Sequence, residues 1–373
     1  MLNRFRTAAG LLRPRSLART ARSVEDLQQV TSRLSQVSKD SATESSRLQR
    51  EVLAVKDALE AAEQRESKLS AELRELRGLI GRVQLRESQL SAIYLRDREL
   101  AAEIEGLASV LDAEAVMSHA RDAIMGAELV SDPFPHMVVE NVWPESFYRA
   151  LIEGLPPVEL FGDGPPNKRQ LKVPFCPAPI YSERVWSFLT GEVLDGLVAS
   201  CLIDKFSVPL KAWLRDNFSL SEGDPTEGIR FKCSDGRILL RSCGYLIPPH
   251  RDPKWGFITC LSYLVRPGDS ERWGTQLYSV GDDVEAPSVA PYWIKADRCR
   301  FEKDVPFRRN SMLVFLNSHG AHGASIPADA KPPNLERYVY QFRIGPGPAA
   351  IRSLVRLLPE ERHSFWSGKV TDY

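Results

Sequence analysis

The stretch Tyr245-Leu-Ile-Pro-Pro-His250-Arg-Asp252-Pro253 has the pattern of an apolar strand that ends in two potential metal ligands. Successive side chains of a strand point to opposite faces, so His250 and Asp252, two residues apart, point the same way. An imidazole and a carboxylate aimed at one point supply two thirds of the facial triad that holds non-haem Fe(II) and leaves other coordination positions open. The stretch therefore predicts a metal centre at a strand end.

A second histidine, which such a triad requires, lies downstream in the segment Ser318-His319-Gly320-Ala321-His322-Gly323. His319 and His322 both precede a glycine, so the local sequence leaves two alternatives. Two imidazoles and one carboxylate, with positions left open, form the typical ligand set of non-haem Fe(II) oxygenases. We therefore expect His250 and Asp252 to share a metal with one of these two histidines.

The apolar run 337–344 carries an arginine at each end of one strand face, Arg337 and Arg343. A guanidinium presents a planar fork of donors that binds a carboxylate bidentately, and a structural salt bridge is the alternative. The two arginines lie roughly 20 Å apart at ~3.3 Å per residue, so only one can reach a given pocket. The residues alone leave Arg337 and Arg343 as alternatives for binding a carboxylate.

The order His-x-Asp, then a distal His-Gly, then an arginine on the next strand resembles the Fe(II)/2-oxoglutarate dioxygenases, nearest the prolyl 4-hydroxylase-like branch. The resemblance covers roughly residues 130–350 and leaves out the N-terminal third. Four further segments resemble that family: 134–148 at the opening, 259–264 after the first histidine, 273–278 as a Gly-Gly-x-Leu element with one glycine missing, and 310–317 before the distal histidine.

The resemblance implies a double-stranded β-helix, or jelly-roll barrel, that uses Fe(2+), 2-oxoglutarate and O2, with ascorbate as an optional reductant. It favours His322 over His319, because the family's ligand follows the phenylalanine of the preceding strand, here Phe315, by seven residues. His250, Asp252 and His322 would hold the metal, and Arg337 would bind the distal carboxylate of 2-oxoglutarate. The products would be succinate, CO2 and a hydroxylated protein side chain, glycan or small molecule.

Other polar residues are weaker candidates. Thr259 and Tyr245 are expected to bind the co-substrate through their hydroxyls, with barrel packing as the alternative for Tyr245. Arg241 faces the same side as Tyr245 and is a candidate contact for co-substrate or substrate. Substrate choice is expected to depend on loops 161–179 and 268–273. Further candidates, each with plain core packing as the alternative, are Tyr263, Trp255, Trp273 and Trp293.

The pattern of the C-terminal two thirds predicts an α+β domain over 133–350, followed by an extension at 351–373. Several short strands with helices grouped before them suit an antiparallel barrel backed by helices. Helical spacing is found at 145–155 and 185–217, and a loop rich in Gly and Pro at 161–179. Predicted strands are 238–240, 258–265, 275–280, 311–316 and 338–344.

The N-terminal third predicts a long coiled coil over 24–116, followed by a linker over 117–132. Every seventh residue from Leu27 to Leu111 gives thirteen positions, of which ten are Leu, Val or Ile. Pro14 is the only proline before Pro133, so the stretch between them permits a long helix. A sustained apolar heptad must be buried, so we expect self-association as a dimer or trimer. A helical hairpin that folds back on itself is the alternative.

Composition bounds the class of protein. The 373 residues carry 49 basic and 49 acidic side chains, which argues against a general polyanion binder, and no nucleic acid is expected. Six cysteines without tight spacing suit a reduced, cytoplasmic protein. The sequence contains no run of eighteen apolar residues, so it predicts no transmembrane helix. The basic tail 1–23 is either a disordered segment, a transit peptide or a segment that contacts a membrane surface.

Two other functions remain open on sequence alone. The first is a scaffold in which the coiled coil is the working part and the barrel is a retired enzyme. The second is a nucleic-acid repair oxygenase, which would need a basic groove with aromatic stacking platforms. The basic residues of this chain are spread among acids instead. The preferred hypothesis is a hydroxylating dioxygenase.

Overall fold

The computed structural model of the protein describes residues 14–218, 223–281 and 292–366. The chain divides into two compact units, one up to Val83 and one from Gln84 onward. The helices are α1 Pro14–Glu99, α2 Glu103–Gly106, α3 Ala113–Gly126, α4 Glu145–Glu153, α5 Ile180–Phe188, α6 Ala199–Lys205, α7 Ser207–Phe218, α8 Pro348–Val355 and α9 Glu360–Trp366. The strands are β1 His136–Glu140, β2 Gln170–Lys172, β3 Phe231–Ser242, β4 Leu246–Arg251, β5 Ile258–Leu264, β6 Thr275–Val280, β7 Tyr292–Trp293, β8 Cys299–Val305, β9 Ser311–Leu316, β10 Ala321–Ser325 and β11 Glu336–Pro346.

The described part of the N-terminal unit, up to Val83, belongs to helix α1, and its apolar stripe is exposed. Leu27, Leu34 and Val55, all on the predicted seam, are 65%, 64% and 69% exposed. Ion pairs one turn apart, such as Arg47 with Glu44 and Glu51, support the helix but contribute only a few tenths of a kcal/mol each. Helix α1 therefore agrees with the predicted helix, while its pairing with a partner helix stays a prediction.

Helices α1 and α3 do not coincide with the predicted limits of the coiled coil, 24–116, and of the linker, 117–132. Helix α1 ends at Glu99, and the seam residues Leu100 and Leu107 are buried in the core of the second unit. The predicted linker 117–132 is largely helix α3, which begins at a cap where Asp112 Oδ1 accepts the N–H of Ala115 at 3.1 Å. An apolar helical stripe requires burial, but its sequence does not tell a partner helix from a neighbouring core.

The second unit contains two antiparallel sheets. The larger sheet has the strand order β1-β9-β5-β11-β3-β2, and the smaller has the order β7-β4-β10-β6-β8. Side chains of the two sheets meet: the Tyr263 hydroxyl donates to Thr275 Oγ1 at 2.9 Å, and the rings of Phe315 and His322 lie 4.6 Å apart. The α+β class is confirmed, and the two sheets face each other across a common interior.

The larger sheet is covered on both faces, which explains its sequence. One face contributes Leu261, Leu313 and Val339 to the interior between the sheets. The other face packs against the helices, where the rings of Trp186 and Tyr340 are 5.1 Å apart. Strands β5 and β9 are buried at every residue. Such strands show continuous apolar runs rather than alternation, and this is why 258–265 and 311–316 were readily predicted.

The segment 161–179, predicted to be a loop, contains one short strand. Strand β2 pairs with β3, with Gln170 opposite Leu239 and Lys172 opposite Arg237. Three residues are too few to show an alternating pattern, so sequence alone does not reveal it. The strand matters because it fixes Arg169 and Gln170 beside the interior of the domain.

Helices α5 and α6 are joined by a π-helical segment, Leu189–Val198. Among the described residues, Ile180–Lys205 is long and apolar enough to cross a membrane by length and composition. Its most apolar stretch is 56% buried within the domain, however, as in the core helix of a soluble protein. The helix packs beneath the larger sheet, where Val193, Leu194 and Val198 belong to the core.

The exposed apolar seam of α1 predicts that the protein forms an oligomer. Charged residues introduced on this seam should dissociate the oligomer. We expect Leu48→Lys/Leu69→Lys in the full chain to dissociate the protein to monomers, because two lysines per chain would lie in a buried seam. Gln49→Lys/Ser70→Lys adds the same charge off the seam and should leave the oligomer intact. Analytical ultracentrifugation distinguishes these outcomes. A monomeric wild-type protein, or equal effects of the two variants, would contradict self-association.

Candidate metal centre

Two neighbouring strands of the smaller sheet place the histidines of the site. His250 on β4 is paired in register with His322 on β10, and their ring centroids lie 4.2 Å apart. The register shifts directly after His322, at Gly323, where a Cβ would come within 2.9 Å of Ile247 O. Bulges of this kind re-aim side chains beside functional sites. Here the bulge and the lack of a side chain at Gly323 let His322 face His250.

Asp252 completes the cluster directly after β4. One ligand atom from each of His250, Asp252 and His322 lies within 4.8 Å of the others. Asn317 fixes the turn that carries Asp252: its Nδ2 donates to Asp252 O at 2.7 Å, and its Oδ1 accepts the N–H of Asp252 at 3.2 Å. The three predicted ligands are thus brought together, whereas His319 is exposed and outside the cluster.

The carboxylate of Asp252 is held at both oxygens. Arg343 Nη2 donates to Oδ1 at 2.6 Å, and the Thr259 hydroxyl donates to Oδ2 at 2.6 Å. Arg343 in turn donates to Asp235, which also accepts a hydrogen bond from Arg237. These contacts fix the orientation of the carboxylate, so that a metal would meet it without side-chain rearrangement.

A β-bulge between β3 and β11 aims Asp235 at Arg343. The register shifts between Gln341 and Arg343, and Asp235 has a positive φ of 56°. Non-glycine residues adopt this conformation rarely, and Asp is among those that tolerate it. Gly256 completes the enclosure, since a Cβ there would lie 2.5 Å from Arg343 Cδ.

The protonation states suit a metal. Burial lowers the pKa of His250, and burial together with the nearby His250 lowers the pKa of His322 to about 3, so both imidazoles are neutral at neutral pH. Burial alone would raise the pKa of Asp252, but Arg343 and the two imidazoles outweigh it and hold the pKa well below its usual range. His250 Nδ1 lies 2.9 Å from Pro248 O. Donation of that N–H leaves Nε2 with a free lone pair.

A cavity of about 150 Å³ opens beside the three ligands. Its lining includes His250, Asp252 and His322 together with three arginines, Arg169, Arg241 and Arg343. Pockets for drug-sized ligands typically measure ~300–1,000 Å³, so this cavity suits a small molecule. The remaining lining residues are Asn167, Gln170, Leu239, Tyr245, Ile247, Leu261, Thr275, Gly323, Ala324 and Gln341.

Arg241 is a deeply buried arginine of this cavity with an unused donor. It is 4% exposed, and its Nε has no hydrogen-bond partner. Its Nη1 makes one long contact of 3.4 Å to Gly274 O, and its guanidinium lies over the Tyr245 ring at 5.2 Å. A buried polar group without a partner costs about 1–3 kcal/mol, more when charged, so an acidic ligand would relieve a real penalty.

Arg337, the residue expected to bind the co-substrate, lies outside the lining of this cavity. Its Nη1 is 3.2 Å from Asp269 Oδ1, its Nη2 donates to Ser270 Oγ at 2.9 Å, and its guanidinium stacks on Phe307 at 4.9 Å. Arg337 is 1% exposed and does not line the cavity. Strand β11 places Arg337 opposite Arg241 of β3, but an acid from the 268–273 loop already neutralises it.

Two further expectations have mixed outcomes. The Thr259 hydroxyl is used by Asp252 rather than aimed at a co-substrate, whereas Tyr245 does line the cavity. Trp293 contacts the His250 ring at 5.5 Å and is 47% exposed, in keeping with a position at the mouth. Trp273 has a positive φ of 59°. Asn317, Asp235 and Arg169 were not identified from sequence because their roles depend on contacts between distant segments.

No protein-family model and no curated protein matches the chain. Solved structures that match include HygX from Streptomyces hygroscopicus with nickel and 2-oxoglutarate bound, at 15% identity over 57% of this chain and 82% of that chain, with a TM-score of 0.33. A Pseudomonas putida prolyl-4-hydroxylase matches at 13% identity over 61% and 98%, with a TM-score of 0.33.

A third match is a Trichoplax adhaerens prolyl hydroxylase in complex with a hypoxia inducible factor peptide fragment, at 11% identity over 63% of this chain and 89% of that chain, with a TM-score of 0.31.

Loss of one metal ligand should abolish metal binding. We expect His322→Ala to weaken Ni(II) affinity by more than about 100-fold, the upper range for losing even an outer partner of a ligand. His319→Ala removes the exposed histidine three residues away and should leave the affinity unchanged. Isothermal titration calorimetry measures both. Equal losses, or a loss confined to His319→Ala, would contradict the assignment of His322.

Removing the partner of the buried aspartate should destabilise the fold. We expect Arg343→Gln to lower the free energy of unfolding by about 3 kcal/mol, because it leaves the Asp252 carboxylate buried without its ion pair. Arg300→Gln breaks an exposed pair with Glu302 and should cost less than about 1 kcal/mol. Urea denaturation of the metal-free protein measures both changes. Similar small effects would show that Arg343 does not hold Asp252.

Proposed function

We propose that the chain is an Fe(II)- and 2-oxoglutarate-dependent oxygenase that hydroxylates a C–H bond, built on a double-stranded β-helix. The observation that carries the proposal is the occurrence, in one cavity, of a His250–Asp252–His322 cluster and a buried arginine with unused donors. The two facing antiparallel sheets support the barrel assignment. The ligand set and its cavity are complete, so a retired barrel that serves only as a scaffold is not favoured.

The residues fit the proposed metal by their chemistry. Two neutral imidazoles and one ionised carboxylate form a facial set typical of Fe(II), which leaves positions open for a co-substrate and dioxygen. When bound, the metal and 2-oxoglutarate supply the oxidising chemistry, with the keto acid converted to succinate and CO2. The protein holds the metal through His250, Asp252 and His322, and Arg343 keeps the carboxylate ionised and oriented.

The cavity also fits the co-substrate. Its volume of about 150 Å³ admits a small dicarboxylate, and Arg241 offers the distal carboxylate a bidentate partner shielded from water. Leu239, Ile247 and Leu261 form the apolar part of the lining and exclude solvent from the ion pair. We assign the binding of the distal carboxylate to Arg241 in place of Arg337, because Arg241 lines the cavity and Arg337 does not.

The cellular setting of this enzyme is a further part of the proposal. The six cysteines are all free, two of them buried and one exposed, as expected for a reduced, cytoplasmic protein. Fe(II) is stable in the same environment. The N-terminal helix would join catalytic units through its exposed seam.

The proposed function is tested by anaerobic titration with Fe(II) and then 2-oxoglutarate, followed by the visible metal-to-ligand charge-transfer band. We expect the band to require both additions. Arg241→Gln should weaken 2-oxoglutarate binding by about 30-fold, since hydrogen bonds to charged groups contribute about 1.5–3 kcal/mol. Arg337→Gln should retain the affinity. No band in the folded wild-type protein would contradict the function, and loss confined to Arg337→Gln would reverse the assignment of the arginines.

A further inference from the structure

We propose that the primary substrate carries an anionic group, a carboxylate or a phosphate, and that Arg169 and Gln170 bind this group at the cavity beside the co-substrate. The inference rests on the proposed function and specifies the chemical class of its substrate. It depends on the charge balance of the cavity and on the hydrogen-bonding state of the two residues.

The cavity has an excess of positive charge. Its lining contains three guanidiniums, those of Arg169, Arg241 and Arg343, and one carboxylate, that of Asp252. Outside the lining, Asp235 binds Arg343 and Arg237, and this additional Asp–Arg pair adds no net charge. The lining therefore carries two more positive than negative charges. Burial, followed by the nearby Arg343 charge, lowers the pKa of Arg237 to about 10, as expected where guanidiniums crowd together.

Binding of the metal and co-substrate does not remove this excess. A divalent metal adds two positive charges, and 2-oxoglutarate adds two negative charges, so the pair is neutral overall. Arg343 is committed to Asp252, and Arg241 is assigned to the distal carboxylate of the co-substrate. Arg169 then remains the guanidinium in the lining without an acid. A cavity that stays positive when both are bound attracts an anion and disfavours a cationic substrate.

Arg169 is positioned for such an anion. Its carbonyl accepts the N–H of Leu240 at 2.9 Å, so its backbone is fixed to β3 at the edge of the larger sheet. Its side chain is half-buried, and its Nε is enclosed without a hydrogen-bond partner. Among the described residues, no carboxylate forms a salt bridge with Arg169. Arg169 is more exposed than Arg241, which is the expected order if the substrate enters after the co-substrate.

Gln170 is left as a donor beside it. Its Oε1 accepts a hydrogen bond from Arg237 Nη1 at 3.0 Å, which fixes the orientation of the amide and leaves its two N–H groups to donate. Gln170 also lines the cavity. A guanidinium and an amide with free donors, adjacent on one strand edge, form a donor-rich site that suits the oxygens of a carboxylate or phosphate.

The proposal is tested on protein loaded anaerobically with Fe(II) and 2-oxoglutarate, with the charge-transfer band confirming that both are bound. Inorganic phosphate and 13C-labelled acetate are then titrated separately at constant ionic strength. The paramagnetic broadening of their 31P and 13C resonances reports binding near the iron. We expect saturable broadening by at least one anion. Its identity distinguishes a phosphate from a carboxylate substrate.

Three variants make the result specific. Arg169→Gln should weaken anion binding by about tenfold or more while the charge-transfer band remains, and Gln170→Glu should weaken it by placing a negative charge in the site. Arg352→Gln removes an exposed arginine on α8 and serves as the matched control, with no expected change.

Other outcomes overturn the proposal. These are no saturable broadening by either anion in the wild-type protein, unchanged binding in Arg169→Gln, or loss of the charge-transfer band in Arg169→Gln, which would make Arg169 a co-substrate residue. Absence of the band in the wild-type protein would instead contradict the proposed function. In that case equilibrium dialysis of labelled phosphate against wild-type and Arg169→Gln protein tests the anion site by itself.

Discussion

The ion pair between Asp252 and Arg343 is the interaction on which the site depends. It joins the end of β4 in the smaller sheet to β11 in the larger one, so the two sheets are tied together at the ligand cluster. Removing both charges from water costs several kcal/mol per ion, and only additional hydrogen bonds make the burial favourable. The Thr259 hydroxyl donates one to Asp252, and the Asp235 carboxylate accepts another from Arg343. The carboxylate is therefore ionised and oriented in the absence of a metal.

The same region contains unpaired charged groups and an unfavourable backbone conformation. An interior with a purely structural role would avoid both. Arg241 is buried with an unused donor, Arg169 has no acid, and Asp235 adopts a backbone conformation that few residues favour. Each of these features costs stability, and each borders the cavity or the residues that line it. Proteins depart from local and electrostatic rules mainly at functional sites, and these three departures lie in or directly beside one cavity. A metal, a dicarboxylate and an anionic substrate would compensate most of them.

Sequence analysis predicted the three residues that form the cluster, His250 and Asp252 from local rules and His322 from the family resemblance. The period of two placed His250 and Asp252 on one side, and the strands around them were continuous enough to be identified. The same period of two placed Arg337 on the interior face of its strand. It gave no information about which residues from other segments contact that face. The acid that neutralises Arg337, Asp269, comes from a loop far along the chain. The choice between Arg337 and Arg241 therefore needed the tertiary structure.

The N-terminal third shows the same limit. The apolar heptad correctly indicated a long helix, but at Leu100 and Leu107 the stripe is buried by the domain that follows. Periodicity shows that an apolar stripe must be buried. It does not show whether a partner helix or a neighbouring domain buries the stripe. The limits of a coiled coil are uncertain for this reason wherever its helix runs into a folded domain.

The most direct test of the central claim is a crystal structure of the full chain soaked anaerobically with Ni(II) and 2-oxoglutarate, with anomalous data collected at the nickel edge. The account predicts one strong anomalous peak among His250, Asp252 and His322, and a bound 2-oxoglutarate whose distal carboxylate contacts Arg241. Absence of metal from these three side chains at saturating nickel would contradict it. A co-substrate held by Arg337 would retain the metal centre but refute the proposed geometry of the cavity.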